Sequence, residues 1–345
     1  MPGLPGATYV HYPVDQVSFP FLPSISQRQS LPLFHANSTP RYLYRLVAPQ
    51  APGKSPPSNS APFAASRHPP PDLFHFPEDK AANLLLNHLL WQRGAEDGCN
   101  LMSWTSSLLF ALQYALYRHR KDGDDLRHIT LIIIDTSLFP QGTFIQDMEV
   151  MKLFEHADSR LKKFVEYRET EYYFGEYLTQ GPLNIQGRCI FASVQRMIDL
   201  GLFTLQPGLG EEDQWRCWPK RVLDYRQLFA DRKQVATGKG DVTTALEIAR
   251  NCFGGPWTVP GAIMLLSLQP RYEDDRVISE GFKAQFTSAE IKQAALHKVE
   301  THTERLPEVG QFADLVEFIK RSYGLSEYDT VVDGVKELSV YEHSD

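Results

Sequence analysis

Hydrophobic and polar positions first become periodic near residue 40 of the chain. Residues 41–47 alternate, with Leu43, Arg45 and Val47 on one face and tyrosine or leucine on the other, which predicts a strand. Residues 128–136 form a β-branched run that is too continuous to alternate, which predicts a buried strand. These two segments indicate a sheet in the first half of the chain.

Helical spacing dominates much of the remaining chain. In residues 107–118, apolar side chains fall at positions i, i+3, i+4, i+7 and i+8 from Leu108, as on one face of a helix. Residues 77–91 carry acids in the first turn and a leucine stripe that includes His88, which also predicts a helix. Further helices are predicted at 148–167, 242–252, 260–268, 288–300 and 311–323, and further strands at 100–102, within 171–183, at the start of 188–202 and within 330–342.

The order of these elements predicts an α+β fold with a helical C-terminal part. We expect an α+β domain over residues 39–204 and a mainly helical domain over residues 205–345. Residues 1–38 are rich in proline and serine and lack periodicity, which predicts a disordered N-terminal tail. Residues 48–71 have a similar composition and are expected to form a long loop.

Composition narrows the class of protein. The chain is 42% hydrophobic with a net charge of −7, so a packed core is expected and a nucleic-acid partner is not. No apolar run approaches the roughly 20 residues that span a bilayer, and the N-terminus lacks a secretory signal pattern. The four cysteines are scattered and lie outside metal-ligand spacing, which favours a metal-free protein of the cytoplasm or nucleus. The oligomeric state stays open.

A cluster of hydroxyl side chains is the first candidate for chemistry. Ser103, Trp104, Thr105 and Ser106 stand between a predicted strand and a predicted helix. Small hydroxyls in this place either cap the helix or line a pocket. Neither a phosphate-binding loop nor a Gly-x-Ser-x-Gly nucleophile turn is present to favour a nucleotide hydrolase or an esterase.

Two charged residues flank this cluster along the chain. Arg45 lies in the first predicted strand and Glu176 opens a later one. Taken singly, such residues are most often a surface arginine and a solvated glutamate. Taken in order with Ser103–Trp104–Thr105, they resemble the arginine, Ser-Thr-Ser and glutamate motifs of the toxin-like branch of the ADP-ribosyltransferases. Over residues 40–200 the chain is also similar to a group of fungal proteins with "SWTSS…AL" and "EYL…G" signatures.

This resemblance implies a split β-sheet core and NAD as a substrate. Arg45, Ser103 and Thr105 would bind the dinucleotide, Tyr173 would stack on it or on the target, and Glu176 would supply the catalytic carboxylate. These residue types suit the chemistry, because a guanidinium pairs with a pyrophosphate and a carboxylate stabilises an oxocarbenium-like transition state. The C-terminal domain would recruit a protein target.

Two hypotheses therefore remain open. The first is an ADP-ribosyltransferase or NAD glycohydrolase, with arginine disfavoured as acceptor because Phe174 replaces the glutamate or glutamine that many arginine-modifying members carry. The second is a non-catalytic interaction module on the same fold. The enzyme requires Arg45, Ser103 and Glu176 to face one cleft with Glu176 unpaired. The module is favoured if Glu176 is ion-paired on an outer surface or if Arg45 faces solvent.

Overall fold

A six-stranded antiparallel sheet organises the fold. The computed structural model describes residues 18–36, 38–49, 63–64, 72–91, 100–211, 213, 215–294, 296 and 305–325. Its strands are β1 (Tyr42–Val47), β2 (Phe63–Ala64), β3 (Leu101–Thr105), β4 (Thr130–Asp135), β5 (Ile145–Gln146), β6 (Glu176–Gln180), β7 (Pro182–Leu183) and β8 (Cys189–Ser193). The large sheet has the order β5-β6-β3-β1-β4-β8, and β2 pairs with β7 separately.

The centre of this sheet is only partly joined. β1 is in register with β4 along its whole length, from Tyr42 opposite Asp135 to Val47 opposite Thr130. Between β1 and β3, by contrast, the register consists of one pair, Tyr44 opposite Thr105. The two strands therefore diverge, and the sheet consists of two halves, β5-β6-β3 and β1-β4-β8. We call the line between β1 and β3 the seam.

Helices surround the sheet and confirm an α+β fold. They are α1 (Ile25–Gln29), α2 (Pro32–His35), α3 (Glu78–Leu89), α4 (Leu108–Asp122), α5 (Asp147–Phe154), α6 (Ser159–Arg168), α7 (Val194–Asp199), α8 (Leu202–Leu205), α9 (Trp218–Ala230), α10 (Lys239–Ile248), α11 (Thr258–Leu266), α12 (Arg276–Lys283), α13 (Ser288–Gln293) and α14 (Pro307–Ser322). α4 begins where the Ser107 hydroxyl accepts the amide of Phe110 and ends at Gly123 in the left-handed conformation.

Three apolar clusters fill the space around the sheet. Residues of β1 and β4 such as Tyr44 and Ile133 join α4 and the C-terminal helices in the largest cluster. Leu101 and Leu178, from β3 and β6, join α3, α5 and α6 in a second. The alternate residues of the same strands, including Trp104, form a third cluster on the opposite face. Ser103 and Glu176 lie on the side of the sheet that carries the first two clusters, whereas Arg45 leaves β1 on the face of the third.

The C-terminal helices pack directly against the sheet. Val242, Ile263 and Phe312 belong to the same cluster as Tyr44 and Ile133, although they lie beyond residue 204. The domain boundary near residue 204 stays a prediction. The apolar cluster is continuous across it.

The prediction of a disordered tail over residues 1–38 is wrong for residues 18–36. Phe21 and Leu31 are buried in the second cluster, and α1 and α2 lie in this segment. The Glu149 carboxylate of α5 accepts hydrogen bonds from the backbone amides of Leu33 and Phe34, which anchors α2 to α5. The proline-rich composition hid these contacts because they are made to residues distant in sequence. Residues 1–17, the strand expected within 330–342 and most of the 48–71 loop lie outside the described residues.

Candidate functional site

The register of β3 and β6 brings Ser103 and Glu176 together. Thr105 lies opposite Glu176, and Ser103 lies opposite Leu178. Ser103 and Glu176 are therefore diagonal neighbours on one face of the sheet, within reach of each other. The Ser103 hydroxyl lies close enough to favour the ionised form of the Glu176 carboxylate, which lowers the pKa of Glu176.

Arg45 reaches this pair across the seam. Its Nη1 donates to the Ser103 carbonyl oxygen at 2.6 Å. Burial lowers the pKa of Arg45 to about 10, although the nearby Tyr114 and Glu176 favour its charged form. Arg45 is thus partly buried, and it remains a cation at neutral pH.

His88 of α3 completes the cluster around Ser103. It follows Leu85 by three residues on the inner face of the helix, and its Nε2 lies 2.8 Å from Ser103 Oγ. Burial lowers the pKa of His88 to about 4, against the opposing influence of Glu176. His88 is therefore neutral at physiological pH. We call Arg45, His88, Ser103 and Glu176 the seam cluster.

Glu176 is also paired with a buried arginine. Arg168, the last residue of α6, lies 2.6 Å from Glu176 Oε2 and 3.1 Å from Oδ2 of Asp147. Burial disfavours the ionised form of both carboxylates, but Arg168 and the Ser103 hydroxyl leave the pKa of Glu176 below its ordinary value.

Asp147 behaves differently because it is fully buried, whereas Glu176 retains 17% side-chain exposure. Burial, together with the neighbouring charge of Glu176, raises the pKa of Asp147 to about 7 in spite of Arg168. The Arg168 guanidinium thus contacts two carboxyl groups, and the more exposed one, Glu176, is ionised more readily than Asp147.

Thr105 and Tyr173 do not join the seam cluster as expected. The Thr105 hydroxyl donates to the Phe174 carbonyl at 2.6 Å and accepts the Ser107 amide at 3.0 Å, so it links backbone segments. Tyr173 is 6% exposed, and its hydroxyl accepts from Gln146 Nε2 at 2.7 Å. The Tyr173 ring is therefore buried and unavailable for stacking on a ligand.

The turn that precedes Glu176 is held from the C-terminal side. Arg226 of α9 donates to the Tyr173 carbonyl at 2.6 Å and pairs with Glu308 of α14 at 2.8 Å. Glu308 also accepts from the Ser107 hydroxyl at 2.5 Å, and both members of the ion pair are buried. These contacts connect the turn, the start of α4 and two C-terminal helices in one polar network.

An aromatic surface borders the seam cluster. Phe110 and Tyr114 of α4 are partly exposed, and Phe110 stacks on Phe174 with ring centroids 4.6 Å apart. The ring centroid of Trp218 in α9 lies 5.2 Å from that of Tyr114, and the ring of Trp91, which is 55% exposed, lies 5.7 Å from it. This group of planar rings is near Arg45 through Tyr114.

Residues 38–196 match a protein family described as a domain of unknown function, DUF7587. This segment contains the whole seam cluster and the sheet. No curated protein and no solved structure matches the chain significantly. Within the described ranges, no group of three or more histidine, cysteine or acidic side chains is placed to hold a metal ion, and no helix combines the length and apolarity needed to cross a membrane.

The geometry thus gives a mixed answer to the two hypotheses. Arg45, Ser103 and Glu176 do converge, and Arg45 is turned inward. Glu176 is ion-paired, contrary to the expectation for the enzyme, but both side chains of the pair with Arg168 are partly buried, with 13% and 17% exposure. Sequence reasoning missed the roles of Arg168 and His88. A histidine within a leucine stripe was the one available signal.

Proposed function

We propose that the protein cleaves the nicotinamide–ribose bond of NAD, as an ADP-ribosyltransferase or an NAD glycohydrolase. The observation that carries this proposal is the meeting of Arg45, Ser103 and Glu176 at the seam. They come from three neighbouring strands, and the diverging halves of the sheet match the split core that the family resemblance implies. We place this activity in the cytoplasm or nucleus, where NAD is available.

Each charged group has a role that its chemistry suits. The Arg45 guanidinium would bind the pyrophosphate, and the ionised Glu176 would bind the ribose 2′-hydroxyl. As the bond between the ribose carbon and the nicotinamide nitrogen breaks, its electron pair stays on nicotinamide. Water or an acceptor group then bonds to the ribose carbon and loses its proton. Glu176 stabilises the positive charge that develops between these two events.

The aromatic surface supplies a place for flat groups. Tyr114 lies close enough to Arg45 to favour the charged form of the guanidinium. The ring of Phe110 stacks on Tyr114 and extends the same aromatic surface. A nicotinamide ring or an acceptor with a planar side chain would stack there. This assigns to α4 the stacking role that the sequence suggested for Tyr173.

One observation favours the alternative, a non-catalytic interaction module. The Arg168–Glu176 ion pair neutralises part of the charge that catalysis needs. In this case the C-terminal helices would dock a protein partner, and NAD would not bind.

A comparison of two glutamine variants distinguishes these functions. Purified full-length protein is incubated with NAD, and nicotinamide is separated and quantified, together with the thermal shift that NAD induces. Glu176→Gln should lower the rate of release by on the order of 100-fold or more, since it removes a charge used in the transition state. Glu171→Gln, at an exposed position before the same turn, is the matched control and should leave the rate unchanged. Absence of both release and thermal shift in the wild type contradicts the proposal and favours the module.

A further inference from the structure

Arg168 joins two carboxylates through different nitrogens of its guanidinium. Nη1 lies 3.1 Å from Oδ2 of Asp147, and Nη2 donates to Oε2 of Glu176 at 2.6 Å. A guanidinium is planar and holds its nitrogens in fixed directions, so a group that fixes one of them also fixes the other. Burial favours the neutral form of Arg168, but the two acids raise its pKa above the ordinary value. Arg168 is therefore a permanent cation that bridges Asp147 and Glu176.

Asp147 holds one side of this bridge in the core. It is the first residue of α5, its side chain is fully buried, and its Oδ1 accepts the backbone amide of Met148 at 2.8 Å. Val150 and Met151, which follow in the same helix, are fully buried in the second cluster. The guanidinium is thus anchored to a packed helix, and it presents its second nitrogen to Glu176 from a fixed position.

The other side of the bridge restrains the Glu176 side chain. Glu176 begins β6 opposite Thr105, so its backbone is held by the sheet, but its partly exposed side chain would otherwise adopt several rotamers. We propose that Arg168 is a positioning residue, which holds the Glu176 carboxylate by Oε2 so that Oε1 faces the ribose 2′-hydroxyl. The ion pairs are described contacts, whereas their effect on catalysis rests on the proposed function. A carboxylate that is already oriented needs no rearrangement as positive charge develops on the ribose.

Removal of Arg168 distinguishes positioning from simple charge neutralisation, because the two predict opposite changes. If the arginine only neutralised Glu176, its loss would leave kcat unchanged or raise it. If it positions the carboxylate, its loss lowers kcat even at a pH where Glu176 is fully ionised. The variants are therefore compared on this pH plateau, since they also differ in the titration of Glu176. The charged and titratable groups that act on Glu176 are Arg45 of β1, His88 of α3, Asp147 of α5, Arg168 of α6 and Tyr173 of the preceding turn.

Two substitutions of Arg168 in the full-length protein provide the test. Arg168→Gln removes the charge, whereas Arg168→Lys keeps the charge but replaces two nitrogens in a fixed plane by one. We expect the plateau kcat for nicotinamide release to fall on the order of 100-fold in Arg168→Gln and on the order of 10-fold in Arg168→Lys, with little change in KM for NAD. Arg160→Gln on the same helix is the matched control, because Arg160 is 55% exposed and pairs with Asp158, and it should leave both constants unchanged. A plateau kcat at or above the wild-type value in either Arg168 variant overturns the proposal.

Two further readouts make the outcome independent of turnover. Carboxyl ¹³C titration should show a higher pKa for Glu176 in Arg168→Gln than in the wild type, and a value close to wild type in Arg168→Lys. Crystal structures should show one Glu176 rotamer in the wild type and a rotated or divided carboxylate in both variants. An unchanged Glu176 pKa in Arg168→Gln, or an unchanged rotamer in both variants, overturns the proposal. If Arg168→Gln does not fold, Arg168→Lys decides alone. A wild type that never releases nicotinamide contradicts the proposed function, and the titration and the crystal structures still decide whether Arg168 positions Glu176.

Discussion

Gly175, immediately before Glu176, is required both by its backbone angle and by the space around it. Its φ is +68°, and a Cβ there would lie 2.2 Å from Ser106 Oγ and 2.9 Å from Leu306 Cδ1. Gly123 has nearly the same angle, +72°, but nothing lies within 4 Å of a Cβ at that position. Substitutions at these two glycines therefore distinguish the cost of backbone strain from the cost of steric crowding.

We expect Gly175→Ala to cost more stability than Gly123→Ala. Strain alone costs about 1–2 kcal/mol, and crowding adds about 1–3 kcal/mol at Gly175. Urea unfolding of both variants measures the difference. Equal losses of stability in the two variants would show that Ser106 and Leu306 move aside without a cost in free energy. Gly175→Ala should also reduce nicotinamide release, since relief of the contact moves Glu176.

Asp147 makes stability depend on pH in a direction opposite to that of an ordinary surface acid. Its folded pKa, about 7, is above the unfolded value of 3.8, so the folded state holds the proton more tightly. Folding stability from this group is therefore fully present below about pH 4 and is lost as pH rises toward 7. The loss is of order 1.4 kcal/mol for each unit of pKa difference, reduced by coupling to Arg168 and Glu176.

Asp147→Asn should remove this slope. Urea unfolding between pH 4.5 and 8 should show a wild type that loses stability relative to the variant up to about pH 7 and runs parallel to it above. The exposed Asp199→Asn serves as control and should run parallel to the wild type throughout. A constant difference between wild type and Asp147→Asn would contradict the raised pKa.

At the scale of single residues, the order of the motifs and the family resemblance predicted that Arg45, Ser103 and Glu176 lie together, and neighbouring strands do bring them together. Their roles toward NAD stay a prediction. Sequence order could not assign Thr105 or Tyr173, since their partners are a backbone carbonyl and a glutamine distant in sequence. Side-chain direction at a strand end depends on the turn that follows, and no residue pattern encodes it.

Among the elements, α9 and α14 act on the site from outside the strands that carry it. Their buried ion pair, Arg226–Glu308, binds the Tyr173 carbonyl and the Ser107 hydroxyl. The helical periodicity of residues 311–323 predicted most of α14 correctly. It gave no indication of Glu308, which lies in the first turn and points into the protein.

Glu308→Ala should destabilise the fold by about 3–5 kcal/mol, because it leaves Arg226 buried without its counterion. Asp314→Ala on the same helix is the control. Asp314 is exposed, so its loss should cost about 1 kcal/mol or less. Urea unfolding compares the free energies of unfolding of the two variants. Similar losses of stability would indicate that the buried Arg226–Glu308 ion pair contributes little net stability.

The double variant Arg226→Met with Glu308→Leu tests whether the pair also positions the turn. Replacing both charges by apolar side chains should restore much of the stability. It should not restore nicotinamide release, since the donor to the Tyr173 carbonyl is gone. Recovery of stability and release together would show that packing alone holds the turn.

For the whole molecule, a single apolar cluster runs from the sheet into the C-terminal helices. Local patterns predicted elements such as β4 and α4, because each depends on its own periodicity. They predicted one helix over residues 148–167, where α5 and α6 are separate, and they did not predict α9 or α12. They could not show that Tyr44 and Ile133 share a core with Ile263 and Phe312, because packing between distant segments leaves no local period.

A chain that ends at residue 204 should therefore fail to fold. It would expose the face of the sheet that α11 and α14 cover in the full-length protein. Circular dichroism and ¹H–¹⁵N spectra of residues 18–204 beside the full chain test this expectation. A dispersed spectrum with cooperative unfolding for the shorter chain would instead establish an independent domain.

The seam between β1 and β3 has a consequence for slow motion. Separating the two halves of the sheet disrupts the pair at Tyr44 and Thr105 and the Arg45–Ser103 bond, while the ladder between β1 and β4 stays intact. Such an opening costs less free energy than global unfolding, so amide protons along the seam should exchange with solvent earlier than those of the β1–β4 ladder. A ligand that bridges the two halves of the sheet would therefore slow amide exchange on both sides of the seam at once.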